Sequence, residues 1–257
     1  MSLTTDLVSY WKLDTSNNTQ PDSVGSNDIT VEGGTYNASG KINGCYKMDG
    51  GDGSGMDTGW TGLDTSASHT YSFWSKDSNT LNVSQMIKQT PKADNEGARI
   101  YAIGTNKIYA KMKSGGISYY AKSNQVYTAN VWHFVVYTYD ETNMKIYVDG
   151  VLQQTTEATG YNDITNNVLI TRALETYDNN FDGYIDEIGM WERALTYTEV
   201  KQLYNAGHGL QYPFDRGLQI NIGDTWKKMT DAKINIGDTW KDVDSIKINI
   251  GDSWKGV

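Results

Sequence analysis

Cysteine is all but missing. Cys45 is the single one in 257 residues, so neither an intrachain disulfide nor a multi-cysteine zinc site can be built. A lone cysteine of this kind is expected as a small buried hydrophobe. Histidine is nearly as scarce: His69, His133 and His208 are scattered, without a His-x-x-x-His pair. His133 is therefore read as a hydrogen-bonded structural residue. No window approaches the ~18 apolar residues of a membrane span, so no membrane insertion is expected. The opening MSLTTDLVSYWKLD lacks a basic region followed by an apolar run, so no secretory signal is read there. Without one, the Asn-x-Ser/Thr triplets at Asn17, Asn37 and Asn82 carry no weight. Serine elbows, phosphate loops and Walker-type glycine patterns are absent too. Positive charge is in deficit, 22 Lys and Arg against 31 Asp and Glu, giving a net charge of −9. The pI is near 4.8. Phosphate backbones are repelled by such a balance, so no nucleic-acid partner is expected, whereas carboxylate-ligated cations are suited by it.

Glycine and tyrosine are plentiful, at 26 and 18 residues against 3 prolines. With 38% hydrophobic residues and a mean hydropathy of −0.58, this suits an all-β chain with many turns. The length allows one large β domain or a domain with an appendage. Strands are read at VSYWKL (8–13), with Tyr10 and Lys12 opposite Trp11, at 29–31, and at 45–48. TYSFWS (70–75) alternates clearly, and 85–88 can follow it. A meander is predicted over 99–103, 107–112 and 117–121, with turns at Gly104-Thr105 and Gly115-Gly116. WHFVVYTYD (132–140) and MKIYV (144–148) form the strongest pair, the first apolar enough to be buried on both faces. Asp149-Gly150 is a preferred hairpin dipeptide. Many short strands with frequent turns indicate a sandwich or barrel.

FDGYIDEIGMWERALTYTEVKQLYNAG (181–207) organises the rest. Its first half alternates as a strand and its second half changes period. Thr196 and Glu199 make a capping box, Leu195 and Val200 a hydrophobic staple, and Gly207 is the expected left-handed stop.

Taken in order, SYWKLD, DSVGSND, YKMDGGDG, TYSFWSK, VWHFVVYTYD, MKIYVDGVL and the 181–207 stretch resemble the laminin G-like, concanavalin A-like lectin superfamily. The resemblance covers Leu7 to about His208. It implies an antiparallel two-sheet jelly-roll sandwich in which the 181–191 strand returns beside the first, with the helix packed at the exit. Fold alone does not give function, because the superfamily holds glycan-binding, adhesion, glycanase and structural members.

After Leu218 the chain repeats itself as LQINIGDTWKKMTDA, KINIGDTWKDVDSI and KINIGDSWKGV, with Trp226, Trp240 and Trp254 spaced by 14 residues. Each unit reads as Ile-x-Ile strand, Gly-Asp tight turn and Trp-Lys return, with second turns near Thr230-Asp231 and Asp244-Ser245. Single hairpins are marginal, so the three must bury Ile and Trp against each other or a partner. The expected organisation is a sandwich over 1–209, a linker at 210–217, and the hairpin repeats over 218–257 as an anchor or oligomerisation module. The INIGDTWK repeat resembles C-terminal repeats of tailed-bacteriophage virion proteins.

Three sites are candidates. Proteins similar to this one bind a structural calcium ion at the sheet edge, which implicates Asp22, Gly25, Asn27 and Asp186. Alternatively, Asp22 starts a turn and Asp186 accepts from backbone amides. For catalysis, glycanases on this sandwich carry two acids as E-x-D-x-x-E, and Asp182, Asp186 and Glu187 only approach that pattern. Asp182 and Asp186 are expected on one strand face with Glu187 opposite, and no catalytic residue is assigned. Flat aromatics with polar neighbours bind sugars, so Trp60, Tyr101, Tyr109, Tyr119 and Tyr120 are candidates for a glycan platform. Ordinary strand packing is the competing reading. The expectation is a non-enzymatic phage structural protein, a fibre, decoration or receptor-binding component. It would be a homo-oligomer in the virion, with other virion proteins held through the Trp repeats and a host-surface glycan as outward partner. A bacterial carbohydrate-binding or adhesin module at the cell surface is the alternative, and a glycanase the third.

Overall fold

The computed structural model describes residues 1–51, 53–78, 84–89, 97–103, 107–125, 127–159, 167–171 and 180–214, and six short strands between 219 and 256 as backbone. The chain divides into two compact units, Met1–Phe214 and Asp215–Val257.

The first unit opens with β1 (Leu7–Trp11), β2 (Thr19–Gln20), β3 (Ile29–Glu32), β4 (Gly34–Asn37), β5 (Cys45–Asp49) and β6 (Gly55–Asp57). It continues through β7 (His69–Asp77), β8 (Ser84–Gln89), β9 (Gly97–Ile103), β10 (Lys107–Ser114) and β11 (Ile117–Lys122). It ends with β12 (His133–Tyr139), β13 (Asn143–Val148), β14 (Val151–Glu157), β15 (Leu169–Ile170), β16 (Asp182–Trp191) and the helix α1 (Tyr197–Tyr204). One sheet has the order β14-β13-β12-β7-β16-β5-β4, with β1 also on β16; the other runs β11-β10-β9-β8-β15-β6-β3-β2. The expected jelly-roll sandwich is therefore what folds, and β16 does return antiparallel beside β1, with Tyr10 opposite Gly189.

Patterning explains the layers. All seven residues of β12 are buried, as its continuous apolar run requires, while β10 alternates half-buried and buried positions. Trp11, Phe73, Tyr137 and Ile185 of the first sheet meet Met86, Ile100, Ile108 and Met112 of the second in one core. A separate cluster covers the first sheet's outer face. There Tyr10, Trp74, Phe134 and Trp191 lie beneath Leu7, Leu195, Val200, Leu203 and Phe214. Each such side chain contributes about 1.5–3 kcal/mol on burial, which holds the helix and both termini of this unit to the sheet. Tyr10 and Trp11 thus point to opposite faces, as their alternation indicates. Cys45 is fully buried, and burial pushes its thiol up to about 12.

The helix begins where its sequence directs. Thr196 Oγ1 accepts from Glu199 N and the Glu199 carboxylate accepts from Thr196 N, closing the capping box. Arg193 grips the same carboxylate from both terminal guanidinium nitrogens at 2.9 and 2.8 Å. Burial pushes that carboxyl up, but the Arg193 and Thr196 bonds outweigh burial and hold it below its ordinary value. The stop differs from expectation: Asn205 is the left-handed cap (φ 49°, ψ 52°), and Gly207 (φ 89°) ends the short 3-10 turn that follows. Asparagine tolerates this conformation because its short amide bonds locally; here it donates to Gly209 O at 2.8 Å. The β13–β14 hairpin turns on Asp149 (φ 52°) and Gly150 (φ 73°), and β10–β11 on Gly115 and Gly116. The turn predicted at Gly104-Thr105 lies outside the described residues.

The segment expected as a linker begins as part of the sandwich. The Phe214 ring meets Tyr10 edge-on at 5.2 Å and stacks near Trp191 at 6.3 Å. In the second unit, β17 (Gln219–Ile222) pairs with β18 (Thr225–Lys228), β19 (Lys233–Ile236) with β20 (Thr239–Asp242), and β21 (Lys247–Ile250) with β22 (Ser253–Gly256). The three hairpins share one register, setting Asn221, Asn235 and Asn249 opposite Trp226, Trp240 and Trp254. The Gly-Asp turns and the second turns fall outside the described residues.

Candidate functional site

β9, β10 and β11 form the end of the second sheet. Alternation sends Ile108, Ala110 and Met112 inward and leaves Lys107, Tyr109, Lys111 and Lys113 half-buried on the outer face. The register then aligns two rows across the strands. Tyr101, Tyr109 and Lys122 form one row; Arg99, Lys111 and Tyr120 form the other. The Tyr101 and Tyr109 rings stack at 5.7 Å and 19°. The Arg99 guanidinium lies 5.9 Å from the Tyr101 ring centre, and its Nε donates to Gln85 Oε1 at 3.2 Å. Lys111 Nζ lies 5.8 Å from the Tyr120 ring, which is 43% exposed. Partial burial, with Tyr120 close by, pushes the Tyr101 hydroxyl up to about 12. It therefore stays a neutral hydrogen-bonding group at physiological pH. The result is an aromatic face with ammonium and guanidinium groups around it.

Of the predicted platform residues, Tyr101, Tyr109 and Tyr120 come together. Tyr119 does not join them, because it alternates with Tyr120 and packs toward the core opposite Met112. Trp60 also packs against the core, in the segment between β6 and β7 whose Trp60 carbonyl accepts from Val168 N at 3.1 Å. The basic residues of the face were not foreseen. Their signal was in the chain, however: no Asp or Glu occurs between Glu96 and Asp140.

The edge residues gather differently. Asp22 Oδ1 accepts from Tyr10 N at 2.9 Å and Val24 N at 3.0 Å, and its Oδ2 accepts from Asn27 N at 3.2 Å. Gly25 is tight against this carboxylate, since a Cβ there would lie 2.8 Å from Asp22 Oδ2. Asp186 is engaged elsewhere, its Oδ2 accepting from Lys41 N at 2.8 Å and Ile42 N at 3.0 Å. Three backbone N–H donors thus occupy the Asp22 carboxylate. Asp22 and Asp186 each accept from backbone amides, the arrangement given above as the alternative to a calcium edge. Among the described residues, no group of three or more His, Cys, Asp or Glu is arranged to hold a metal.

The carboxylates of β16 depart from simple alternation. The register with β7 shifts between Asp186 and Gly189, and Glu187 has φ 51°. This β-bulge lets Ile185, Ile188 and Met190 all face the core and puts Asp186 and Glu187 together on the outer face, correcting the expected opposition. Both are nonetheless buried, at 0% and 2% exposure. The Tyr10 hydroxyl donates to Glu187 Oε2, and Gln211 Nε2 donates to Glu187 Oε1 at 2.5 Å and to Asp14 Oδ2 at 2.9 Å. Burial, then Glu187's charge, pushes Asp186 well up; burial chiefly raises Glu187 to about 8. A sugar cannot reach carboxyls covered in this way, so the pair offers structure rather than glycoside hydrolysis. His133 is equally committed: its Nδ1 bonds Asp149 Oδ2 at 2.8 Å and its Nε2 accepts from Thr128 N at 3.1 Å.

Toxin binding domains are among the solved structures similar to this chain. The binding domain of Paraclostridial Mosquitocidal Protein 1 superposes with a TM-score of 0.65 at 15% identity, over 80% of this chain and 53% of that one. The botulinum neurotoxin serotype G binding domain gives 0.63 at 15% identity, over 98% and 64%. The serotype D ligand-binding domain, in complex with N-acetylneuraminic acid, gives 0.61 at 17%, over 78% and 50%. The chain thus spans about half to just under two-thirds of their length, and identities this low speak for fold alone. No curated protein matches the chain. The family model described as the concanavalin A-like lectin/glucanases superfamily matches residues 49–201, more than half of the chain. By sequence as well as by its two-sheet architecture, the chain belongs to the concanavalin A-like lectin/glucanases superfamily.

Proposed function

We propose that this chain is a non-enzymatic, lectin-like module that attaches to surface glycan through the β9–β11 face. The observation that carries the reading is the Tyr101, Tyr109 and Tyr120 cluster, aligned by cross-strand register and ringed by donors. Sugars stack their apolar faces on such rings while hydroxyls bond to polar groups at the rim. Family membership and the binding-domain neighbours support it. Burial of Asp186 and Glu187 argues against a hydrolytic reading, since two accessible carboxyls are needed to cleave a glycoside. The finer proposal is a virion component of a phage, with the Trp repeats as the assembly module toward other virion proteins or further copies of this chain. Its support is the threefold repeat itself and its resemblance to virion repeats.

A glycan array probed with the full chain tests the binding reading. Wild-type protein is expected to retain a subset of polysaccharides. Tyr109→Ala is expected to weaken retention by about tenfold, given a stacking ring worth about 0.5–1.5 kcal/mol beyond its area. Release of oligosaccharide products, or retention untouched by the substitution, contradicts it. For the virion, the chain should be found by electron microscopy with a specific antibody on purified particles, and its absence there removes that part.

A further inference from the structure

The platform carries a charge opposite to that of the protein around it. The chain has a net charge of −9 with 31 acidic residues, yet β9, β10 and β11 contain no Asp or Glu at all. In the same strands stand Arg99, Lys107, Lys111, Lys113 and Lys122. Register and alternation put these five on the outer face with the three tyrosines, not scattered round the sheet. An acidic protein gains nothing in solubility from concentrating cations on one face. The same concentration, in a chain of net negative charge, makes a local positive field that selects and orients an anion.

From this complementarity we infer that the β9–β11 face binds an acidic polysaccharide, one whose sugars carry carboxylates. The inference rests on the glycan-binding reading above and names its ligand class. The geometry suits a polymer better than a single acid. Cations and rings alternate along β10, where Tyr109 sits between Lys107 and Lys111 and like-facing residues are about 6.8 Å apart. Across the strands, Arg99 and Lys111 precede Tyr120, and Tyr101 and Tyr109 precede Lys122. A chain of sugars lying along β10 meets cations for its acid groups on either side of a ring for its apolar face. Lys122 is exposed, and Lys107 and Lys111 are half-buried with their stems along the sheet, which leaves their ammonium groups to reach a ligand. A single-stranded nucleic acid could use rings and cations too, and it is the competing ligand in the experiment that follows.

Binding is measured with the full chain against three carboxylated polymers, polygalacturonate, colominic acid and hyaluronan. Fully methyl-esterified polygalacturonan is the neutral control and poly-dT the nucleic-acid arm, each at 50 and 300 mM NaCl. At least one carboxylated polymer should bind ten-fold or more tighter than the ester at low salt, the gap narrowing at high salt as charges are screened. The double substitution Lys111→Gln with Lys122→Gln should remove most of that gap by weakening the acid polymers far more than the ester, while Tyr109→Ala weakens both alike. Unchanged thermal midpoints establish that the variants are folded. If the ester binds as well as the acid and the lysine variant behaves as wild type, the charge inference falls while glycan binding stands. Tighter binding of poly-dT than of every polysaccharide overturns the inference in favour of nucleic acid. If no polymer binds, the inference and the glycan reading fall together.

Discussion

Glu187 shows how one residue's setting governs the chain's response to pH. Its carboxyl lies 2% exposed between the Tyr10 hydroxyl and the Gln211 amide, with Asp14 and Asp186 near and Lys12 as the favourable charge. Burial raises it from an ordinary 4.5 to about 8. Because the folded value exceeds the unfolded one, the native state holds a proton that the unfolded chain releases. The group's contribution is therefore fully present below about 4.5 and is lost as pH rises through about 8, and the upward shift of Asp186 acts in the same direction. Glu187→Gln should melt like wild type at pH 4. It should melt several degrees higher at pH 8.5, since each kcal/mol is worth about 2–4 °C in a unit of this size. Equal wild-type and variant midpoints across that range would contradict the account. The sequence announced two adjacent acids but not their shared face. Only a spacing of three between Ile185 and Ile188, followed by two to Met190, hinted at the bulge.

Among elements, α1 and the strands were the most legible. Capping chemistry is local, so Thr196, Glu199, Leu195 and Val200 could be assigned from spacing alone. Arg193 could not, because nothing local says that a guanidinium two residues after β16 will fold back onto the capping carboxylate. The two contributions should separate by urea unfolding. Thr196→Ala is expected to cost about 1 kcal/mol, the ordinary value of an N-cap. Arg193→Ala should cost about 3–5 kcal/mol, because it strands Glu199, which is 4% exposed, without its partner. If the Arg193 variant lost no more than the cap variant, the ion pair would be incidental to stability. The β9–β11 meander was also readable, but which tyrosines share a face depended on the register of Tyr119 against Met112. Period-two alternation fixes that only once a strand's first residue is known.

For the whole molecule, two-sheet architecture and the return of β16 beside β1 followed from the order of motifs, whereas the extent of the sandwich did not. Residues 210–214 read as linker by composition, yet Gln211, Tyr212 and Phe214 complete the cover over Tyr10 and Trp191. A chain ending at 209 loses those contacts; one ending at 214 keeps them. The shorter form should be less stable by about 3 kcal/mol or more, the usual cost of deleting a buried aromatic, and the longer one should unfold as a single cooperative unit. Equal midpoints for the two forms would return 210–214 to the linker.

Attachment through the β9–β11 face is the claim on which the functional reading turns, and hydrogen–deuterium exchange of the full chain with and without a retained polysaccharide tests it most directly. Ligand should slow exchange in peptides spanning 97–103, 107–114 and 117–122, and leave β16 and α1 unchanged. Protection centred on 182–191 and 210–214 instead, with β9–β11 unaffected, would contradict the account.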